Sequence, residues 1–179
     1  MDAPRLHTAR LLLRLPQPGD LDQLVTLAGA REVAATTLRI PHPYTRADGE
    51  QFIATAQQEL QRGTAVMLVM TENGELRGGI GLHLGPAHQH AELGFWVGVP
   101  CWAKGHCTEA ARAVLEHGFG ALKLRRIFAR HMKENAASGR VLQKLGMRCE
   151  GCLREHVLKW GVFHVVLLYG ILAEEFARW

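Results

Sequence analysis

A mixed β-sheet with helices packed on both of its faces, an α/β (α+β) class, is the fold that the sequence predicts. Three observations point to it. The elements run strand, two helices, three strands, helix, strand, helix, then one or two strands, an alternation that sets helices on both sides of a sheet. The segment AELGFWVGV at 91–99 is a near-continuous apolar run, the pattern of a central strand covered on both faces. Residues 108–122 are amphipathic, with Ala111, Val114, Leu115, Gly118, Phe119 and Leu122 on one side of a helix.

The elements follow in order. Residues 11–15 form a short strand, and PQPGD then places Asp20 to cap a helix carrying Leu21, Leu24, Val25 and Ala28 at helical spacing. Residues 31–44 read as irregular. Thr45 and Asp48 make a capping-box start for the second helix, which aligns Phe52, Ile53, Ala56 and Leu60 and ends at Gly63. Strands at 65–70 and 76–84 are joined by the turn ENG, and Gly78, Gly79, Gly81 and Gly85 loosen the second. GPAHQH leads into the central strand, which Pro100 stops. Beyond the amphipathic helix, residues 126–132 form a strand, 135–145 a helix closed by Gly146, and 162–172 a final strand.

A chain of 179 residues is read as one domain, 1–179, with no repeat or low-complexity linker to divide it. Folding at this size removes about 70% of the unfolded surface from water, so a core forms without cross-links or a structural metal. The 47% hydrophobic and 21% charged residues fit a soluble globule. No apolar run approaches the roughly 20 residues that span a bilayer, and the N-terminus MDAPRLHTAR has no secretory character, which makes the cytoplasm the expected location. A net charge of +4 is too mild to imply nucleic acid. Cys101, Cys107, Cys149 and Cys152 read as reduced thiols. The last two form a CxxC, but the first two are separated by five residues, outside the usual spacing of a second zinc pair, so no metal is expected.

Chemistry concentrates in two segments. In VGVPCWAKGHCTEA a buried strand turns through a Gly-bearing loop into a helix, a junction that aims free backbone N–H groups and the positive end of a helix dipole at one spot. Ala103, Gly105 and Cys107 are small enough to let a phosphate reach the backbone, although an ordinary strand-to-helix turn looks the same. No GK[ST] exists, and GGIGLHLG fails GxGxxG, so the usual signatures of nucleotide-triphosphate and hydride chemistry are missing. In NAASGRVLQKLG, Asn135 sits at an N-cap and Ser138 shares a face with Val141, Leu142 and Leu145. Ser138 is the only serine and lacks a GxSxG elbow, which disfavours acyl hydrolysis.

Taken together these segments resemble a GNAT acetyltransferase of the Rim-type branch, which acetylates N-termini of ribosomal proteins. AELGFWVGVPCWAKGHCTEAARAVLEHGF resembles the family's pantetheine strand, pyrophosphate loop and helix; LRRIFARHMKENAASGRVLQKLGM resembles its next strand and NxxS helix; CEGCLREHVLKWGVFHVVLLYGIL resembles its closing strands. LRLPQPGDLDQL extends the likeness to the opening strand and helix. The sequence departs from the family pattern where Ala103 replaces Gly, Cys107 replaces Ala or Gly, Met147 replaces Phe and Val165 replaces Asp. A GNAT fold implies about six to seven strands.

The resemblance implies acetyl transfer from acetyl-coenzyme A to a primary amine, a protein N-terminal amine in the Rim branch, and a homodimer is common there. It implies a pyrophosphate cradle in the backbone of Ala103, Lys104, Gly105, His106, Cys107 and Thr108. It also implies a backbone donor to the thioester oxygen around Val97, Gly98 and Val99, where the strand splays from its neighbour. Asn135 would hold the pantetheine amide. Leu142 stands where many relatives have a tyrosine that protonates the thiolate; the resemblance puts Ser138 in that role, its hydroxyl donating a hydrogen bond to the departing sulfur.

An N-terminal amine, with a pKa near 7.7 to 8.0, needs only a modest base. Glu92 is the first candidate, against the alternative of a solvated strand end, and His83 the second. The run Lys123, Arg125, Arg126, Arg130, His131 and Lys133 is either an anion-binding surface or one solvated strand face. His88 and His90 are read as a polar hairpin. The rival acceptors are an amino acid, a small amine or an antibiotic; a non-catalytic acyl-coenzyme A binding module and a CxxC zinc protein are the rival classes.

Overall fold

The computed structural model describes residues 3–177. Its opening segment is a hairpin of β1 (Leu6–His7) and β2 (Leu12–Arg14), with Leu11 and Leu13 pointing into the core. A single 3-10 turn, Pro18–Asp20, leads into α1 (Leu21–Ala28). Asp20 makes no side-chain cap to α1. It is buried and gripped by both terminal nitrogens of Arg14 (2.7 and 2.8 Å) and by the Gln17 N–H (2.7 Å), because a bidentate guanidinium satisfies a buried carboxylate better than one amide does.

The stretch read as irregular contains α2 (Arg31–Thr36). The next helix, α3 (Arg46–Arg62), starts where expected: the Thr45 side chain accepts from Asp48 N–H, Asp48 answers to Thr45 N–H at 2.7 Å, and Gly63 ends it in the left-handed region at φ +68°. Then come β3 (Ala65–Glu72), β4 (Glu75–Gly85), β5 (His90–Val97), α4 (His106–Gly120), β6 (Arg126–Met132), α5 (Ala136–Lys144), β7 (Arg148–Lys159), β8 (Val162–Leu172) and α6 (Ala173–Phe176). The glycines of β4 do not interrupt it. At Gly79 the Trp96 indole fills the space that a side chain would take.

The eight strands form one mixed sheet ordered β1-β2-β3-β4-β5-β6-β8-β7. The count exceeds the expected six to seven because of the two-residue β1 and the long β7. Helices α1 and α3 cover one face, where Leu21, Leu24, Ile53, Val69 and Leu76 pack; α4 and α5 cover the other, where Ala111, Leu115, Leu142 and Leu145 join Leu93 and Ile127. Among the described residues no helix is long and apolar enough to cross a membrane.

One irregularity positions everything that follows. Among the described residues β5 and β6 are the only parallel neighbours, and their pairing ends at Leu93↔Ala129. β5 nevertheless runs on to Val97 beside β4, while β6 runs on to Met132 beside β8. Each strand follows its antiparallel partner, so the two diverge and a gap opens between residues 94–97 and 130–132.

Candidate acetyl-transfer site

Backbone geometry equips this gap. The Gly98 N–H bonds to Arg77 O on β4 (2.9 Å), so by strand alternation the N–H and C=O of Val97 face away from β4, into the gap. The Trp102 indole N–H takes the Val97 carbonyl at 2.9 Å and leaves the Val97 N–H as the donor on that edge.

The chain then turns through Val99–Cys101 into α4. Ala103 (φ +60°) and Gly105 (φ +81°) both adopt the left-handed conformation, and Gly105 caps α4 without any side-chain bond to its first turn. The first-turn N–H groups of His106, Cys107 and Thr108 therefore point out of the helix end with the positive pole of the dipole. The His106 side chain turns inward instead, 3% exposed, with Nδ1 3.3 Å from Cys101 O and Nε2 3.5 Å from Glu72. Burial pushes the Cys107 thiol up to about 12, so it stays protonated and serves as a small side chain rather than a nucleophile.

Sequence reading missed Arg10. Glu109 in α4 accepts from Thr8 Oγ1 (2.6 Å), Arg10 N–H (2.9 Å) and Arg10 Nε (2.8 Å), which fastens the first hairpin to the helix start; a terminal nitrogen of Arg10 also donates to Lys104 O (3.1 Å). A guanidinium thereby stands beside the loop, and only the long-range contact to Glu109 reveals it.

A cavity of about 390 Å³ occupies the gap. Its lining includes Ser138 and Leu142 from α5 on one face of the sheet and Glu92, Trp96 and Arg130 on the other, so it passes through the sheet where β5 and β6 part. The wall on the α1 and α3 side is made by residues 36–41 with Tyr44, Phe52 and Thr55.

Glu92 is no solvated strand end, since its side chain is 15% exposed. Arg130 holds both of its oxygens (2.9 and 3.0 Å), and Arg39 reaches in to 2.8 Å. Burial alone would raise its pKa, but the bond to Arg130 and the two guanidinium charges outweigh that and keep the carboxyl below its usual range. It is an ionised anchor with little free lone-pair capacity. His83, opposite Glu92 in the β4–β5 register, is pushed down by burial and by Arg39, so its ring is neutral near pH 7. The basic run is thus not one surface: Arg130 belongs to Glu92, Arg126 to Glu150, and His131 is buried.

Ser138 lies in the cavity wall, held by Asn135. The Asn135 Oδ1 accepts from Ser138 N–H (3.1 Å) while its Nδ2 donates to Thr36 O at the end of α2 (2.9 Å). One bond at each end of this amide is made inside the protein, so Asn135 is a cap and a tie between α5 and the cavity wall, with a second N–H and a second lone pair left over. Asn135→Ala should cost about 1 kcal/mol. A melting curve would show a fall of about 2–4 °C at this chain size, and an unchanged melting temperature would remove the tie.

The model of the acetyltransferase (GNAT) domain matches residues 10–148. The chain belongs to the GNAT acetyltransferase family. It is 35% identical over 123 residues to N-acetyltransferase YoaA of Bacillus subtilis (strain 168), covering 68% of this chain and 69% of the relative. Relatives also include the ribosomal-protein-serine acetyltransferase of Escherichia coli (strain K12), 30% identical over 96 residues, or 53% of this chain and 54% of that protein. A GNAT-family acetyltransferase structure from Bacillus anthracis shares the fold at a TM-score of 0.85 and 26% identity, over 96% of this chain and 99% of that one. This GNAT chain is accordingly an acyltransferase, an N-acetyltransferase whose donor substrate is acetyl-coenzyme A. Among the described residues no cluster of three or more His, Cys, Asp or Glu side chains is placed to hold a metal, and Cys149 and Cys152 are exposed and unbridged.

Proposed function

We propose that this GNAT enzyme acetylates the α-amine of a protein N-terminus in the cytoplasm. The observation that carries the reading is the cavity that passes through the sheet, lined by Ser138 on one face and by Glu92 and His83 on the other; the first would be the thioester side and the second the amine side. Acetyl-coenzyme A would place its pyrophosphate on the backbone from Ala103 to Thr108 and its pantetheine along the vacant edge of β5. The Val97 N–H would meet the oxygen on which negative charge develops. The acceptor enters from the α1 and α3 side, where the charged lining residues Arg39 and Arg130 are matched by Asp48 and Glu92. A balanced lining offers no anionic well for a polyamine or an aminoglycoside. Kinship with a ribosomal-protein-serine acetyltransferase supports a peptide acceptor.

In this reading the neutral His83 accepts the amine proton through water, and Glu92 keeps Arg39 and Arg130 in place around the incoming nitrogen. The Ser138 hydroxyl donates to the departing sulfur. Because the His83 pKa is lowered, the base form prevails above pH 6.5 and is lost only as pH falls through its depressed value. The acid limb of kcat/KM should therefore bend below pH 6.5, and His83→Gln should abolish that bend. A limb unchanged in the variant would return the role to Glu92.

The test of function is titration of the protein with acetyl-coenzyme A, followed by free-thiol release with a panel of N-terminal peptides and small amines. Binding with turnover of peptides ahead of amines supports the proposal. Turnover of small amines alone would reassign the acceptor, and binding without any thiol release would leave an acyl-coenzyme A binding module.

A further inference from the structure

His131 lies on β6 two residues past the last pair with β5, inside the gap, and the proposed mechanism has no use for it. Its side faces α5, the thioester side of the cavity, which it lines with Ser138. The residue is 6% exposed. Nδ1 is 2.8 Å from Met132 O, a group that can only accept, so Nδ1 carries the proton and in the neutral ring Nε2 holds a lone pair. That Nε2 is one of two buried side-chain polar atoms among the described residues without a hydrogen-bond partner. A buried acceptor left unpaired is costly and calls for a function. Opposite it, α5 presents Gly139, at which a Cβ would come within 3.1 Å of Nε2, so the helix is held close to the ring beside Ser138.

Resting on the role given to Ser138 above, we propose that His131 is the proton store behind that serine on the leaving-group side of the site. When the amine attacks, the new C–N bond leaves its nitrogen with one proton too many, and cleavage of the C–S bond leaves the sulfur one proton short. His83 and water take the proton that turns the ammonium into an amine; the proton left on nitrogen after attack is a second one, and for it the serine hydroxyl, turned toward the unpartnered Nε2, hands its own proton to Nε2 and takes the one from nitrogen. It then hands a proton to the thiolate and takes one back from Nε2. Serine and imidazole both end as they began, and no further reactant is needed. Met132 O stays hydrogen-bonded to Nδ1–H throughout and stabilises the transient imidazolium. The groups against the ring are Tyr169 of β8, at 5.5 Å between ring centroids, and Gly139 of α5, with Ser138 next to Gly139 in the same cavity lining; Arg130, next on its own strand, is committed to Glu92 on the other face.

The experiment compares wild type, His131→Asn, Ser138→Ala and the double variant by thiol release at saturating acetyl-coenzyme A across pH. Asn keeps an amide donor for Met132 O but cannot take a proton. His131→Asn should lower kcat about 10- to 100-fold, remove one ionisation from the kcat profile and leave the affinity for acetyl-coenzyme A within about threefold. The double variant should be no slower than Ser138→Ala alone, since the two groups act in series. A kcat within twofold of wild type, an unaltered pH profile, or multiplying losses in the double variant would each overturn the inference. If Ser138→Ala itself leaves kcat unchanged, the serine role fails and the store with it; if only His131→Asn is silent, the serine role stands and this inference alone falls. Gly139→Ala, whose Cβ crowds the ring without removing it, supplies the same test should His131→Asn fail to fold: kcat must drop while acetyl-coenzyme A still binds, and an unchanged kcat would overturn the inference.

Discussion

Gly105→Val is expected to weaken acetyl-coenzyme A binding about 100-fold, a loss near 2.7 kcal/mol. Gly105 is the residue before α4 and holds φ at +81°. A β-branched residue is strained there by more than 1 kcal/mol, and relief of that strain re-aims the N–H groups of the first turn, which are the proposed phosphate donors. Its first side-chain carbon would stand 3.6 Å from a terminal nitrogen of Arg10, an ordinary van der Waals contact, so the strain at positive φ is what drives the loss. Gly105→Ala should fall between the two, near 10-fold, because it keeps the strain but not the bulk. Titration calorimetry reads both. Equal affinity in the Val variant would place the pyrophosphate elsewhere, provided the melting curve shows a folded protein.

Ser138→Ala is expected to cut kcat about 10- to 100-fold while KM for acetyl-coenzyme A moves less than threefold. The hydroxyl is asked to stabilise sulfur only as negative charge develops, so its removal is felt in the transition state and not in the ground state. Alanine is a better helix former, and the Asn135 bond runs to the Ser138 backbone N–H, which the substitution retains. A folding defect is therefore not the expected cause of a loss. A rise in KM with kcat unchanged would make Ser138 a binding residue and take the leaving group away from it.

The sequence alone determined the elements whose signals are local. Thr45, Asp48 and Gly63 bound α3, and Asn135 and Gly146 bracket α5, because caps and left-handed stops act within a turn of chain. The small residues of the 98–108 loop and the NxxS pattern likewise marked the family. Asp20 failed as a cap because its partner, Arg14, lies on a neighbouring strand and offers two bonds where a helix end offers one. Glu92 was visible as a candidate, but its state was not: the guanidinium groups that hold it come from 38 and 53 residues away. His131 was hidden inside a basic run, since a strand sends Arg130 to one face and His131 to the other, and only packing says which face is dry. The cavity itself was decided by register. Only the tertiary structure shows β6 leaving β5 at Ala129 to follow β8, and this divergence of two strands, each held by an antiparallel partner, opens the sheet at the cavity.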